Sequence, residues 1–284
     1  KSTLADNPSQ IRPDFRPLVN GPISTDGFRA ILGTGDLGIG LNRVGFVVTS
    51  EDGFVGDFPV TVSAYFFDQY SEWVLSQTAP AKFREWPYGN RGMYTTQLEF
   101  HSAGSWCLDI SIGAFPETTQ DVQLCFEVKE ITQAPSVGIA AERSYNKTVS
   151  DVKNMHELAT GSLHDRELYQ LTIADAVTNG LPTVVVFASP AFCTNAVCGP
   201  QLEVLQQLKN VYKRKANFIH VDFYQNPEEI QGDLRRAVIS PIVDQWKLPS
   251  TEWTFVIDRK GVVSARFEAF ATFEEIEDAL LREL

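Results

Sequence analysis

The segment Thr183-Val-Val-Val-Phe-Ala188 is apolar at almost every position. A strand of that kind has no polar face to turn to water, so it must be covered on both sides. The first half of the chain reads differently. Val44-Gly-Phe-Val-Val-Thr49, Pro59 to Phe67, Gly92 to Phe100, Ser105 to Ile112 and Val122 to Val128 are short strands, most of them alternating, separated by turn residues such as Glu51-Asp-Gly53. Alternation marks strands buried on one face only, and a run of them points to a β-sandwich. With 284 residues the chain is long enough for two cores. The expected layout is an extended leader over 1–22, rich in proline, a β-sandwich over 23–130, a linker over 131–167 and an α/β domain over 168–284.

Within the α/β part, Thr172-Ile-Ala-Asp175 carries a helix-start signature and Gly180-Leu-Pro ends that helix. A helix from Pro200 to about Lys215 places Leu202, Leu205, Leu208 and Val211 on one stripe. Ala216 to Phe223 reads as a second buried strand, Pro227 opens a helix through Leu234 and Val238, and Trp253–Asp258 with Val262–Phe267 form a hairpin across Arg259-Lys-Gly261. Thr272 caps a last helix whose first turn is acidic, which suits the helix dipole.

The cysteines carry the most specific chemical signal. They fall in two local pairs, Cys107/Cys125 and Cys193/Cys198. Folding the last two front strands about the loop near Pro116 brings Cys107 opposite Cys125. A cross-strand disulfide and two small buried thiols both fit that placement. Cys193 precedes a helix, and a thiol at a helix N-terminus meets unpaired N–H groups and the positive end of the dipole. Both favour the thiolate, which is the nucleophile in disulfide exchange. Cys193 is therefore the expected nucleophile and Cys198 the resolving partner. Residues five apart on a helix differ by about 140° and rise about 7.5 Å. A disulfide needs Cα atoms within about 7 Å. Cys193 is thus expected in the loop before the helix, or the first turn must unwind when the bond forms.

The segment Pro182-Thr-Val-Val-Val-Phe-Ala-Ser-Pro-Ala-Phe-Cys193-Thr-Asn-Ala-Val-Cys198-Gly-Pro-Gln-Leu, with Trp253-Thr-Phe-Val-Ile-Asp-Arg-Lys-Gly261, resembles the extracytoplasmic thiol-disulfide oxidoreductases of the thioredoxin-like superfamily. The resemblance covers residues 168–284. It implies the thioredoxin order of strands and helices, a redox-active disulfide, and exchange with protein thiols or disulfides without a cofactor. It also implies a substrate-binding surface around Pro190, Phe192, Glu252 and Trp253. Two features depart from that family. The spacing is Cys-x4-Cys rather than Cys-x-x-Cys, and Glu252 or Trp253 stands where the family has a cis-proline. The Cys-x4-Cys core also resembles atypical two-cysteine peroxiredoxins, although Pro190 and Val186 replace that family's Thr or Ser and Pro. A non-catalytic scaffold, with two thiolates able to hold Cu(I), is the third reading. No residue set is assigned as a metal site.

The front strands resemble small immunoglobulin-like domains of exported proteins. They offer no catalytic cluster, so a spacer or partner-binding role is expected, with Trp73, Trp86 and Tyr88 as either a contact patch or edge packing. His156 and His164 read as solvated, His220 as a core histidine, and Asn146-Lys-Thr148 as a glycosylation sequon. The net charge of −12, shared by both halves, argues against nucleic acid and anionic membranes as partners. No apolar run is long enough to span a bilayer. The opening Lys1-Ser-Thr-Leu-Ala-Asp-Asn-Pro8 reads as a tail left after processing or trimming. The even cysteine count fits an oxidising compartment, and with the family resemblance an extracytoplasmic location is expected, the signal segment being absent from this chain.

Overall fold

The computed structural model describes residues 18–87, 91–113, 119–162, 165–192 and 197–284. The alternating strands of the first half form β1 (Arg29–Leu32), β2 (Gly40–Ser50), β3 (Gly53–Val55), β4 (Val60–Phe67), β5 (Trp73–Glu85), β6 (Gly92–Phe100), β7 (Gly104–Ile112) and β8 (Gln120–Val128). They join in one antiparallel sheet in the order β1-β2-β6-β5-β4-β7-β8, with β3 paired to β2. Alternation does what its period requires. Val60, Val62 and Ala64 of β4 meet Trp106, Leu108, Ile110 and Ile112 of β7 and Val122, Leu124 and Phe126 of β8 in one interior.

This arrangement corrects the expected immunoglobulin-like sandwich. Strand β5, at 13 residues, pairs with β4 through Trp73–Ala81 and then with β6 through Lys82–Glu85. It turns the corner that would otherwise separate two sheets, so the strands make a nearly closed, barrel-like sheet. The two ends of that sheet are lashed together. The Lys129 amide donates to the Leu37 carbonyl, and the Ile39 amide donates to the Lys129 carbonyl. At the other end Gly21 lies so close to Gln123 that a Cβ would sit 2.1 Å from its carbonyl oxygen, which only glycine permits.

The second half contributes α1 (Ile173–Ala176), β9 (Thr183–Ala188), α2 (Cys198–Tyr212), β10 (Asn217–Asp222), α3 (Pro227–Ile230), α4 (Pro241–Gln245), β11 (Trp253–Ile257), β12 (Val263–Glu268) and α5 (Phe273–Leu281). Four strands form a small mixed sheet in the order β10-β9-β11-β12. All six residues of β9 are buried. Val184, Val186 and Ala188 pack under α2 and α5, while Val185 and Phe187 pack with Trp246 and Phe255 on the other face.

The expected thioredoxin-like α/β fold, and with it membership of that superfamily, is likewise corrected. The chain is predominantly β, 38% strand and 19% helix, and it is dominated by the barrel-like sheet. Among the described residues only α2 and α5 exceed five residues. The helix expected from Pro227 through Val238 is broken after one turn, where Gln231 adopts a left-handed φ of 47° and Gly232 follows at 81°. Two consecutive left-handed residues end an α-helix.

A buried polar seam joins the two sheets. Arg266 of β12 donates to the Asp36 carboxylate at 2.8 Å and to the Thr132 hydroxyl and Ala134 carbonyl, and its guanidinium lies 4.8 Å from the Trp253 ring centre. Lys129 reaches the same Asp36 carboxylate at 3.0 Å. Arg43 of β2 binds Glu275 of α5 through both carboxylate oxygens and also donates to the Glu268 and Phe270 carbonyls.

Candidate functional site

The disulfide on the barrel is structural in placement. Cys107 and Cys125 stand directly opposite each other on β7 and β8 and are bonded, on the face turned away from Trp106, Leu108 and Leu124.

The other cysteine pair is the candidate reactive centre. Cys193 and the residues to Ala196 lie outside the described residues, as do Tyr88 and His164. Cys198 is the first residue of α2, has no exposed surface, and is disulfide-bonded. Its neighbours are apolar, including Val197, Leu202, Val184 and Phe270. The approach to it from strand β9 is better defined. Ser189 is buried. Beyond it Pro190 is half-buried and Ala191 exposed, and the Phe192 amide donates to the Ser189 carbonyl at 3.0 Å, closing a turn. The Phe192 ring meets Tyr224 edge-to-face with centres 6.1 Å apart. An open cleft of about 400 Å³ runs beside this turn, lined by Thr160, Gly161, Ala191, Phe192, Pro227 and Glu228 among others.

Under the turn lies a carboxylate that sequence reading did not single out. Asp222 ends β10 and is fully enclosed. One of its oxygens accepts from the Ser189 hydroxyl at 2.9 Å and from the Tyr224 amide at 2.9 Å. The other accepts from the Thr160 amide at 2.7 Å and the Thr160 hydroxyl at 2.9 Å. Thr160 in turn accepts from the Ala191 amide at 3.2 Å. Burial pushes the Asp222 carboxyl up to about 6, although its four donors pull the other way. Two residues earlier, both ring nitrogens of His220 have partners. Its Nε2 faces the Ala188 carbonyl at 3.0 Å, which can only accept, so Nε2 carries the proton. Nδ1 shares a hydrogen bond of 2.6 Å with the Tyr169 hydroxyl. Burial raises the Tyr169 phenol far above its ordinary value.

The remaining expected residues are dispersed. Glu252 and Trp253 are buried at the start of β11, with Trp253 opposite Phe187 in the register, stacked on Phe255 and donating to the Ser250 hydroxyl. Neither offers surface to a partner. Pro190 and Phe192 are both half-buried, and Phe192 lines the cleft. Trp73 is exposed beside Phe67, whereas Trp86 is half-buried against Phe54. Asn146 is buried and accepts from the Ile173 amide at 2.7 Å, so its sequon amide is engaged in the fold. Among the described residues no group of three or more His, Cys, Asp or Glu side chains is arranged to hold a metal ion, and no helix is long and apolar enough to cross a membrane.

A signal for the missed carboxylate was present in Phe218-Ile-His-Val-Asp222, where two titratable residues interrupt an apolar strand. Thr160 and Ser189, 62 and 33 residues away from Asp222 along the chain, gave none. No protein-family model matches this chain, and no curated protein matches it.

Proposed function

We propose that the protein carries out thiol–disulfide exchange at the Cys193/Cys198 pair. The observation that carries this reading is Cys198 itself, an oxidised cysteine at the first turn of a 15-residue helix, next to a partly exposed turn with an open cleft. A protein dithiol supplies the reductant. Its first thiolate attacks the disulfide, one S–S bond breaks, and a mixed disulfide forms. Cys198, with no exposed surface, takes the leaving and resolving role, and Cys193 takes the external attack. The departing Cys198 thiolate is stabilised by the first-turn amides until it gains a proton. The second substrate thiol, on losing its proton, then displaces Cys193. Two electrons and two protons pass from the substrate dithiol to the protein, and the substrate leaves as a disulfide. The cross-strand disulfide and the oxidised Cys198 together suit an oxidising, extracytoplasmic compartment.

The decisive measurement is a redox titration with thiol-specific alkylation read by mass. Structural disulfides typically hold below about −300 mV. A pair that opens at a higher potential, together with insulin reduction lost in Cys193→Ser, supports exchange. A pair still closed at −300 mV, with no insulin or peroxide turnover, makes it a structural lock.

A second reading rests on a separate observation. The tip of the β4–β5 hairpin exposes Phe67, Tyr70, Trp73, Val74 and Leu75 together, more than scattered apolar surface residues account for. On this reading the barrel is a binding module, and Trp73→Ser/Leu75→Ser would abolish partner capture while leaving the redox titration unchanged.

A further inference from the structure

Strand β10 ends in a buried carboxylate whose four donors come from three separate stretches of chain, at Thr160, Ser189 and Tyr224. Two of those stretches define the turn next to the cysteine pair: Ser189 begins it, and Thr160 holds the Ala191 amide in its middle. From this geometry we infer that Asp222 is a positioning residue for the exchange reaction, its ionised carboxylate pinning the Ser189–Phe192 turn and its protonation releasing it. The inference rests on the exchange reading and adds its regulation.

The asymmetry of the donors explains why protonation must disturb the turn. The Thr160 and Tyr224 amides can only donate, so a proton on Asp222 has to point at a hydroxyl, Ser189 or Thr160. Whichever accepts it must redirect its own hydrogen. The two hydroxyl oxygens are 3.1 Å apart, so a change at one reaches the other and then the Ala191 amide. Protons have a route, because a cavity of about 160 Å³ reaches Asp222 from the far side. The titratable groups around it are His220 and Tyr169, joined to each other, Tyr224, and Lys147 and Glu157 along that cavity. Both ring nitrogens of His220 are engaged, by Tyr169 and the Ala188 carbonyl, and Lys147 donates to the Gln225 carbonyl at 2.9 Å. Asp222, its carboxyl raised by burial to about 6, changes charge in mildly acidic solution.

The test uses the full chain. The rate at which dithiothreitol opens the Cys198 disulfide is followed by alkylation and mass between pH 4.5 and 7.5 and divided by the thiolate fraction of the reagent. For the wild type this corrected rate is expected to rise several-fold as pH falls, with its midpoint near 6. Asp222→Asn is expected to remove the inflection. Ser189→Ala, which takes one donor from the carboxylate, is expected to move it to higher pH. A profile in Asp222→Asn that overlays the wild type, or a flat wild-type profile, overturns the proposal. Should dithiothreitol fail to open the wild-type disulfide at all, the exchange reading falls. The carboxylate's hold is then judged by amide hydrogen exchange at Ala191, corrected for intrinsic rates. Protection lower at pH 5 than at pH 7 in the wild type, and equal in the variant, supports the clamp; protection independent of Asp222 refutes it. If Asp222→Asn does not fold, Ser189→Ala and Thr160→Val carry both measurements.

Discussion

At Asp222 a single side chain combines two opposing tendencies, because enclosure favours its neutral form while four donors favour its charged one. Enclosure wins, and the carboxyl titrates near 6 instead of its ordinary 3.8. Between those values the folded protein holds a proton that the unfolded chain has released. Ionisation therefore works against the fold, by on the order of 3 kcal/mol once pH exceeds about 6. Measured by urea unfolding, the stability of the wild type relative to Asp222→Asn is expected to decline as pH rises from 4 to 6.5. A constant difference would mean that the group does not titrate in this range. Cys198 poses the complementary case, where burial rather than charge assigns a role. Of the expected pair, the described partner is the one no external thiol can reach.

At the scale of elements, the β7–β8 pair shows how register selects a covalent link. The two strands run antiparallel, with Trp106, Leu108 and Ile110 facing Phe126, Leu124 and Val122 across the ladder. Once that inward set is fixed, Cys107 and Cys125 fall opposite one another on the outer face. Their bond closes a loop of sequence separation 18, and a loop of about 15 residues is worth about 3 kcal/mol. Cys107→Ser/Cys125→Ser is expected to lose about that much in urea unfolding while keeping the barrel's circular dichroism. This pairing was partly legible because alternation is a local, period-two signal. Strand β9, a continuous apolar run, and the Thr172 and Thr272 caps, whose hydroxyls accept from the Asp175 and Glu275 amides, were legible as equally local signals. The way the strands were joined was not legible. Nothing in Trp73–Glu85 announces that one strand changes partners halfway, since each half reads as an ordinary strand. The break at Gln231-Gly232 was equally silent, because glutamine seldom adopts a left-handed backbone. The Asp222 cluster depends on tertiary proximity of residues far apart in sequence, and local patterns do not encode it.

At the scale of the molecule, the seam between barrel and mixed sheet is electrostatic as much as apolar. Arg43 and Glu275 are both buried, with side-chain exposures of 6% and 9%. Breaking one side of such a pair typically costs about 3–5 kcal/mol because a charge is left stranded. Arg43→Met is expected to destabilise by about that amount in urea, and Arg43→Met/Glu275→Leu to recover most of it. A double variant no more stable than the single one would show the surrounding carbonyls, not the ion pair, to be the main contact. The seam also sets the acid limit. Burial raises both Asp36 and Glu275, but Arg266 and backbone donors at Asp36, and Arg43 with Arg84 at Glu275, outweigh it and hold both carboxyls below their ordinary 3.8 and 4.5. Their stabilisation is present above those ordinary values and is lost as pH falls through the lowered ones. Acid unfolding followed by tryptophan fluorescence is therefore expected below about pH 4. In Asp36→Asn the transition is expected to be shallower and the stability at neutral pH lower.

A strand that serves one neighbour and then another belongs to no separable piece. Neither the hairpin before the bend of β5 nor the one after it can complete its pairing alone, and so the first half of the molecule has no smaller unit into which evolution or an engineer could divide it. A single nick between Ala81 and Lys82, where the pairing passes from β4 to β6, would cut the one strand that ties the two walls, whereas a nick in the turn Asp68–Glu72 would leave each wall its full ladder.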